Sequence, residues 1–311
     1  MASSTPQWPS LLDPSFRAVY GDTEASTETM FDKIFEMNRT SRAYEKETAI
    51  SGLSRMVVKG QGDTIKYEDP IPGYDVTYTP LSYGLGRSIT KEMYDDDQFG
   101  AMKRAARDLA TAKIRTKEQF GADFFNFGFT AGGGGSAKFT SGDTKALFAT
   151  DHPSTGVGVG VQSNYTTADL DEDSLETALV AMRGTVDNKG QLQMVKPDTL
   201  IVPPALEKEA MILLNSAGRV GTANNDINPM KGRLRLIVWD YIGASAGGSD
   251  TAWFVLDSNS HFLKWFTRED QGVEGPEYDF DTKSAKWSIF ARWAAGYSDW
   301  RGVYGSKGDN S

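Results

Sequence analysis

The stretch Asp95–Thr130 limits what this chain can fold into more than any other part of it. It holds no proline, and apolar or small residues recur at Phe99, Met102, Ala106, Leu109, Ala112, Thr116, Phe120, Phe124 and Phe127. Steps of three and four place these side chains on one stripe of a helix. Lys103, Arg104, Arg107, Lys113, Arg115 and Lys117 fall on the other side, as a solvated face. Asp95, Asp96 and Asp97 stand at its start, where carboxylates complement the positive end of the helix dipole. At about 1.5 Å per residue the stretch makes a rod of roughly 45 Å, about two to three times the usual globular helix. A rod of that length is either one long amphipathic core helix or a beam along which other parts of the molecule are laid.

The segments before the rod differ from it in period. Residues 1–48 read as an arm with short helices. Asp13 is an N-cap followed by Pro14 at the first helical position. Met30, Ile34 and Met37, with Phe31 and Phe35, form a second helical stripe. Residues 49–90 change to strand alternation: Val57-Val58, then Ile65 and Tyr67, then Tyr74, Val76 and Tyr78. Gly60-Gln61-Gly62-Asp63 and Asp69–Gly73 supply turns. This predicts a long, two-sided, rather polar β-hairpin or pair of hairpins, reaching on the order of 50 Å. A lone hairpin is marginally stable in water, and an uncovered sheet edge pairs with whatever it meets. We expect it to lie on a neighbouring subunit, the plain alternative being an edge hairpin of the parent sheet.

After the rod, residues 131–168 read as loops, with glycine runs at Gly132–Gly135 and Gly156–Gly160. From residue 169 the pattern is α/β. Leu175, Ala178, Leu179 and Met182 mark a helix ending at Arg183-Gly184, and Asp187-Asn188-Lys189-Gly190 is a turn. Leu200-Ile201-Val202 is a buried strand, and Pro203-Pro204 opens a helix through Leu206, Ala210, Leu213 and Leu214. Further strands are expected at Leu234–Trp239, Trp253–Leu256, His261–Phe266, Tyr278–Asp281 and Trp287–Tyr297, with Gly243–Asp250 as a tip loop.

Composition bounds the chemistry. With 311 residues, 39% of them apolar and 11% aromatic, the chain can bury a sizeable core. A net charge of −9 argues against a general nucleic-acid or anionic-membrane binder, and suits a surface that sits near DNA without adhering to it. No cysteine is present, which excludes disulfides, thiol catalysis and cysteine-based zinc sites. No apolar run is long enough to span a membrane, and no signal peptide precedes Leu11, so we expect a soluble protein made in a cytoplasm.

Each motif that invites an active-site reading fails on chemistry. A phosphate loop starting at Gly132 has Ala137 in place of its second glycine and Phe139 in place of its hydroxyl. A calcium loop starting at Asp169 has Ser174 where glycine is needed and Val180 where glutamate chelates; an acidic helix start explains Asp169, Asp171 and Asp173 better. The histidines are His152 and His261. Asp151, adjacent to His152, cannot orient its ring as a hydrolase triad does, and His152 before Pro153 is expected to fix a turn. Trp287, Trp293 and Trp300, with Phe290 and Tyr297, read as core rather than as a base-stacking platform. We therefore expect no catalytic, cofactor-binding or metal-ligating residue, no cofactor and no enzyme activity. A soluble α/β hydrolase using a pair among the 42 acidic residues is the enzymatic alternative, with no motif pointing to it.

Five stretches stand out together: Leu147-Phe148-Ala149-Thr150-Asp151-His152-Pro153 with Asn164 after a glycine-rich loop; Ala178–Arg183 with Asp187–Gly190; Pro197–Pro204; Asn224-Asn225-Asp226-Ile227-Asn228-Pro229; and Gly296-Tyr297 through Asp299-Trp300-Arg301-Gly302. In combination they resemble the major capsid (major head) proteins of Mu-like tailed phages. The matches run from about residue 145 to the C-terminus, and the N-terminal half agrees by layout only. The resemblance implies an α+β fold, the tailed-phage major capsid fold. Its parts would be an N-terminal arm (1–48), an extended β-hairpin loop (49–90), a peripheral domain with a long spine helix (91–168), an α/β axial domain (169–271) and strands returning to the peripheral domain (272–311). It implies a structural subunit that self-assembles as pentamers and hexamers into an icosahedral head around the phage genome, in the host cytoplasm. Its partners would be copies of itself, a scaffold protein, a portal, a decoration protein in some cases, and packaged double-stranded DNA met without sequence-specific contacts, with no membrane. An encapsulin-like shell housing a cargo enzyme is the alternative within the same fold.

Overall fold

The computed structural model describes residues 8–96, 99–131, 142–156, 158–218, 227–279 and 281–309. Asp97, the glycine run Gly132–Gly135 with Ala137 and Phe139, Val157 and Asn224-Asn225-Asp226 lie outside the described residues. The chain runs α1 (Trp8–Ser26), α2 (Phe31–Ile34), β1 (Glu36–Arg39), β2 (Glu45–Ile50), β3 (Pro72–Tyr78), β4 (Leu81–Thr90), α3 (Lys91–Asp95) and α4 (Phe99–Asn126). It continues as β5 (Tyr165–Thr166), α5 (Glu172–Arg183), β6 (Thr199–Val202), α6 (Glu207–Asn215), β7 (Arg235–Val238), β8 (Trp253–Leu256), β9 (Leu263–Asp279), β10 (Ser284–Tyr297) and β11 (Val303–Ser306). Two compact units result: Met1–Glu45, Tyr78–Phe120 and Trp265–Ala295 form one, and Lys46–Thr77, Gly121–Lys264 and Gly296–Ser311 form the other.

The first unit is a four-stranded sheet, β1-β9-β10-β4, with helices packed on it. β10 runs antiparallel to β4 from Ser284 opposite Thr90 to Trp293 opposite Leu81. Ala285, Trp287, Ile289, Ala291 and Trp293 are all buried, the every-second-residue alternation of a strand with one face on a core. Phe16 and Tyr20 of α1 and Met102, Ala105, Ala106, Leu109 and Ala110 of α4 pack with Trp287 and Ile289. The Phe16 and Trp287 rings stack at 4.6 Å, and Tyr83 and Trp293 at 4.0 Å. Trp287 and Trp293 are core, as their alternation predicts.

The long helix differs from its sequence-based description in three ways. It begins at Phe99 with no acidic residue in its first turn, while Asp95 ends α3 and Asp96 follows it. Its 28 residues span about 42 Å. The buried line passes through Met102, Ala106, Leu109, Lys113, Phe120 and Phe124, leaving Ala112 and Thr116 off it. The helix turns about 100° per residue, so the step of four from Leu109 keeps to the core and the step of three swings away. Lys113, placed by its charge on the solvent face, is buried because carboxylates meet it. Its Nζ lies 2.7 Å from Glu24 Oε1 and 2.6 Å from Asp270 Oδ1, and Lys117 Nζ lies 2.6 Å from Asp270 Oδ2. Burial alone would lower the Lys113 ammonium, but hydrogen bonds to Asp270 and Glu24 outweigh it and hold its pKa above the ordinary lysine value.

Two helix expectations for the arm are corrected. α1 begins at Trp8, so Pro14 lies inside it rather than at its first position; its ring removes the N–H that would bond the Ser10 carbonyl. Asp13 pairs with Arg17 one turn on, at 2.7 Å. α2 is a single turn, Phe31–Ile34; Phe35 is extended, and Met37 belongs to β1. Phe31, Ile34 and Phe35 are buried regardless, so hydrophobic burial holds while the period changes.

The second unit is a five-stranded sheet, β5-β11-β8-β6-β7. β6 is parallel to β7 and antiparallel to β8, and β11 is antiparallel to β8 and parallel to β5. All four residues of β6 are buried, as the continuous apolar run predicts for a central strand. α5 starts at the N-cap Asp171, whose side chain accepts from the Ser174 N–H while Ser174 Oγ accepts from the Asp171 N–H, and ends at Gly184. The acidic run is thus a capping box. Leu175, Leu179, Met182, Leu200, Val202, Leu214 and Trp253 form the core here. Phe125, Phe129, Phe148 and Phe254 form an aromatic cluster, their rings 5.1–6.2 Å apart.

The predicted hairpin over 49–90 is only partly a hairpin. β2 pairs with β3, closed by Ser51 N–H to Ile71 O and Ile71 N–H to Ser51 Oγ. Residues 51–71 hold no strand. The alternation at Val57-Val58, Ile65 and Tyr67 has no facing layer here, and a strand that buries nothing gains little to offset its ordering.

Candidate functional site: an exposed segment and a buried polar node

Residues 51–71 form a segment fixed at its base and open at its tip. At the base, Glu68 accepts from Ser54 N–H at 3.1 Å, pairs with Lys66, and lies 3.3 Å from Lys189 Nζ. Hydrogen bonds from Lys66 and then Ser54 hold its carboxyl down at about 2. Lys189 also donates to Asp69 O at 2.9 Å, and Arg55 donates to Gln191 Oε1 at 2.9 Å. At the tip, the predicted turn forms: Asp63 N–H reaches Gly60 O, Gly60 N–H reaches the Asp63 carboxylate, and Gly62 takes φ +93°. Between base and tip, Met56 is 99% exposed, Val58 101% and Tyr67 89%. Apolar side chains so fully open make this stretch a candidate interaction surface.

The second feature gathers three of the motif stretches in one place, those around His152 and Asn164, Asp187–Gly190 and Asp299–Gly302. His152 Nδ1 lies 2.7 Å from Asp143 Oδ2, and Nε2 lies 3.1 Å from Asn164 Oδ1. Asn164 Nδ2 donates to Leu147 O and Val303 O, and its Oδ1 accepts from Ala149 N–H, which fixes the amide's orientation. The imidazole stacks on Trp300 at 4.5 Å. Arg301, over the Trp300 ring at 5.1 Å, donates to Val186 O and Asn188 Oδ1 and pairs with Asp299 at 2.7 Å. Asp187 Oδ1 accepts from the Lys189 and Gln191 N–H groups, and Gly190 takes φ +73°. Gly302, at φ +87°, leaves no room for a Cβ, which would sit 2.6 Å from Ser260 O. The stretches around His152, Asn164, Asp187 and Arg301 thus tie distant parts of the second unit together.

Chemically this node holds structure. The His152 side chain is fully buried, and both ring nitrogens are engaged by oxygen acceptors; it has neither a free nitrogen nor exposed surface. The sequence reading that His152 fixes a turn is extended: its backbone pairs with Gln162 in both directions, and its ring partner is Asp143, while Asp151 pairs with Lys145. In the sequence Arg301 stands out only within the Asp299–Gly302 motif, and Asp143 is a lone acidic residue after a glycine-rich stretch, with no local sign of its histidine partner. Among the described residues no group of His, Cys, Asp or Glu is arranged to hold a metal ion, and no helix is long and apolar enough to cross a membrane.

Comparison with known proteins agrees with this architecture. Among solved structures, one titled as the asymmetric unit of the bacteriophage PhiM1 mature capsid aligns at TM-score 0.56 and 12% identity, covering 90% of this chain and 87% of that one. A chain from Microbacterium phage Oxtober96 aligns at TM-score 0.55 and 11% identity, covering 90% and 91%. A virus-like particle from Pyrococcus furiosus aligns at TM-score 0.53 and 10% identity, covering 94% and 98%. The fold is that of phage major capsid proteins. No curated protein matches the sequence. The family model described as phage capsid protein matches residues 73–306, most of the 311-residue chain, and this chain belongs to that family, whose role is structural, in the shell of the virion.

Proposed function

We propose that the chain is the major subunit of an icosahedral phage head, assembling as pentamers and hexamers around the packaged genome, and that it is a head protein of the Mu-like kind. In this reading residues 1–48 are the N-terminal arm and 49–90 the extended loop. Residues 91–168 form the peripheral domain with its spine helix, 169–271 the axial domain, and 272–311 the strands returning to the peripheral domain. A scaffold protein, a portal and packaged duplex DNA are its partners, a decoration protein in some heads, and assembly takes place in the host cytoplasm. The chain carries no catalytic residue. The observation that carries the proposal is the open segment: Met56, Val58, Ile65 and Tyr67 are exposed on a base held by Glu68, Lys189 and Arg55. Such a segment is unfavourable on a lone subunit and favourable against a second copy.

The test replaces Val57–Ile65 by a short Gly-Ser turn, leaving β2, β3 and the base, with its Lys66–Glu68 pair, in place. The expected result is a subunit whose thermal unfolding stays within a few degrees of the parent but which no longer forms closed particles in negative stain. Normal particles from the shortened chain would refute the role given to the segment; failure to fold would make it part of the core. The similarity to the Pyrococcus furiosus particle supports a second reading, an encapsulin-like shell. Particles purified from an expressing cell that hold a co-purifying enzyme and no duplex DNA would favour it.

A further inference from the structure

The six cations that the sequence places on one side of α4 separate in the structure into two kinds. Lys113 and Lys117 are consumed by Glu24 and Asp270. Lys103, Arg104, Arg107 and Arg115 are exposed. At about 100° per residue they fall within an arc about 120° wide, and at 1.5 Å rise they extend over about 18 Å. Asp108, exposed on the same stretch, forms no ion pair with any of them. No large apolar side chain is exposed along the described part of α4. This stripe stands on a chain whose net charge is −9.

We infer that this face of α4 is a contact surface for the phosphate backbone of duplex nucleic acid, made without base recognition. Three of the four groups are guanidinium, whose planar fork fits phosphate oxygens with two parallel hydrogen bonds. A duplex carries about one charge per 1.7 Å of axis, so the stripe faces on the order of ten phosphates. A protein partner is the poorer fit: stable protein interfaces carry an apolar or aromatic centre with charges at the rim, and this face has charge with no such centre. The negative charge elsewhere limits adhesion, so the contact is local and salt-sensitive rather than a general affinity for nucleic acid. The inference rests on the capsid reading only for where the duplex comes from.

The experiment measures binding of a fluorescein-labelled 30-base-pair duplex of random sequence to the unassembled full-length chain, by anisotropy across a salt series starting near 50 mM. The parent should bind with a log–log salt slope of up to about −3.6, four contacts at about −0.9 each. The variant K103Q/R104Q/R107Q/R115Q should lose at least about tenfold in affinity and most of the slope. A matched variant, R183Q/K196Q/K208Q/K231Q, removes four exposed cations outside α4 and should keep both. The double variant R107Q/R115Q, which disturbs the helix less, should lose about half the slope. Equal binding by parent and quadruple variant, or no binding by the parent, overturns the inference. So does preferential displacement of the duplex by polyglutamate of equal charge, which would identify an acidic protein as the partner. Particle formation, scored separately in negative stain, reports on the capsid proposal: shells without stripe-dependent binding sink only this inference, and stripe-dependent binding without shells sinks only the other.

Discussion

Asp270 sits between two lysines, and its energetics follow from that position. Burial would push its carboxyl up, but hydrogen bonds from Lys113 and Lys117 prevail and hold it below the ordinary 3.8. Since the folded-state value is the lower one, the stabilisation is fully present above the ordinary carboxylate range and is lost as pH falls below it. Asp270→Asn leaves the buried Lys113 with Glu24 as its one carboxylate partner. We expect a cost of about 2–3 kcal/mol at neutral pH, read as a lower urea midpoint with unchanged slope. The gap between parent and variant should narrow as the pH is taken below about 4. A gap that stayed constant through that range would show that the pair contributes nothing. The hydropathy of Lys113 gave no warning of its burial, because the carboxylates that meet it lie 89 and 157 positions away.

At the scale of elements, the strand β6 is the most constrained part of the second unit. Thr199, Leu200, Ile201 and Val202 are each 0–1% exposed, with β7 on one side and β8 on the other. Val202→Asp puts an unpaired carboxylate into that sheet at a cost of several kcal/mol, and we expect loss of cooperative unfolding in the purified chain. A soluble variant with a parent-like melting curve would show that the strand is peripheral. The elements that were legible from sequence, α5, β6, β8 and the turn at Asp187–Gly190, encode their boundaries locally through a capping box, prolines and a left-handed glycine. Those that were misread, the start of α1 and the length of α2, are decided by packing: Phe35 turns extended, and β1 joins β9.

For the molecule as a whole, the polar node and the open segment have opposite relations to assembly. The node is complete within one chain. His152→Gln can satisfy at most part of the Asp143 and Asn164 contacts, so we expect about 1–3 kcal/mol lost, a lower melting temperature, and shells that still form. If that variant folded normally but gave no shells, the node would have a part in assembly. The open segment is incomplete within one chain, and shortening it should abolish shells with little effect on folding.

What the sequence determined by itself was whatever repeats locally: the long proline-free helix, the buried apolar strands of the second unit, the capping box, the tip turn at Gly60–Asp63, and the absence of thiol chemistry. Helical and strand periods are properties of neighbouring residues, so they need no fold to be seen. What only the tertiary structure decided was pairing between distant residues. It took Lys113 and Lys117 out of the basic face and left four cations on it. It gave His152 a carboxylate nine positions away rather than the one beside it. It denied residues 51–71 the strands that their alternation predicts. A side chain's charge says what it needs, and only the fold supplies the partner; where no partner lies in the same chain, the alternation remains in the sequence without its strand.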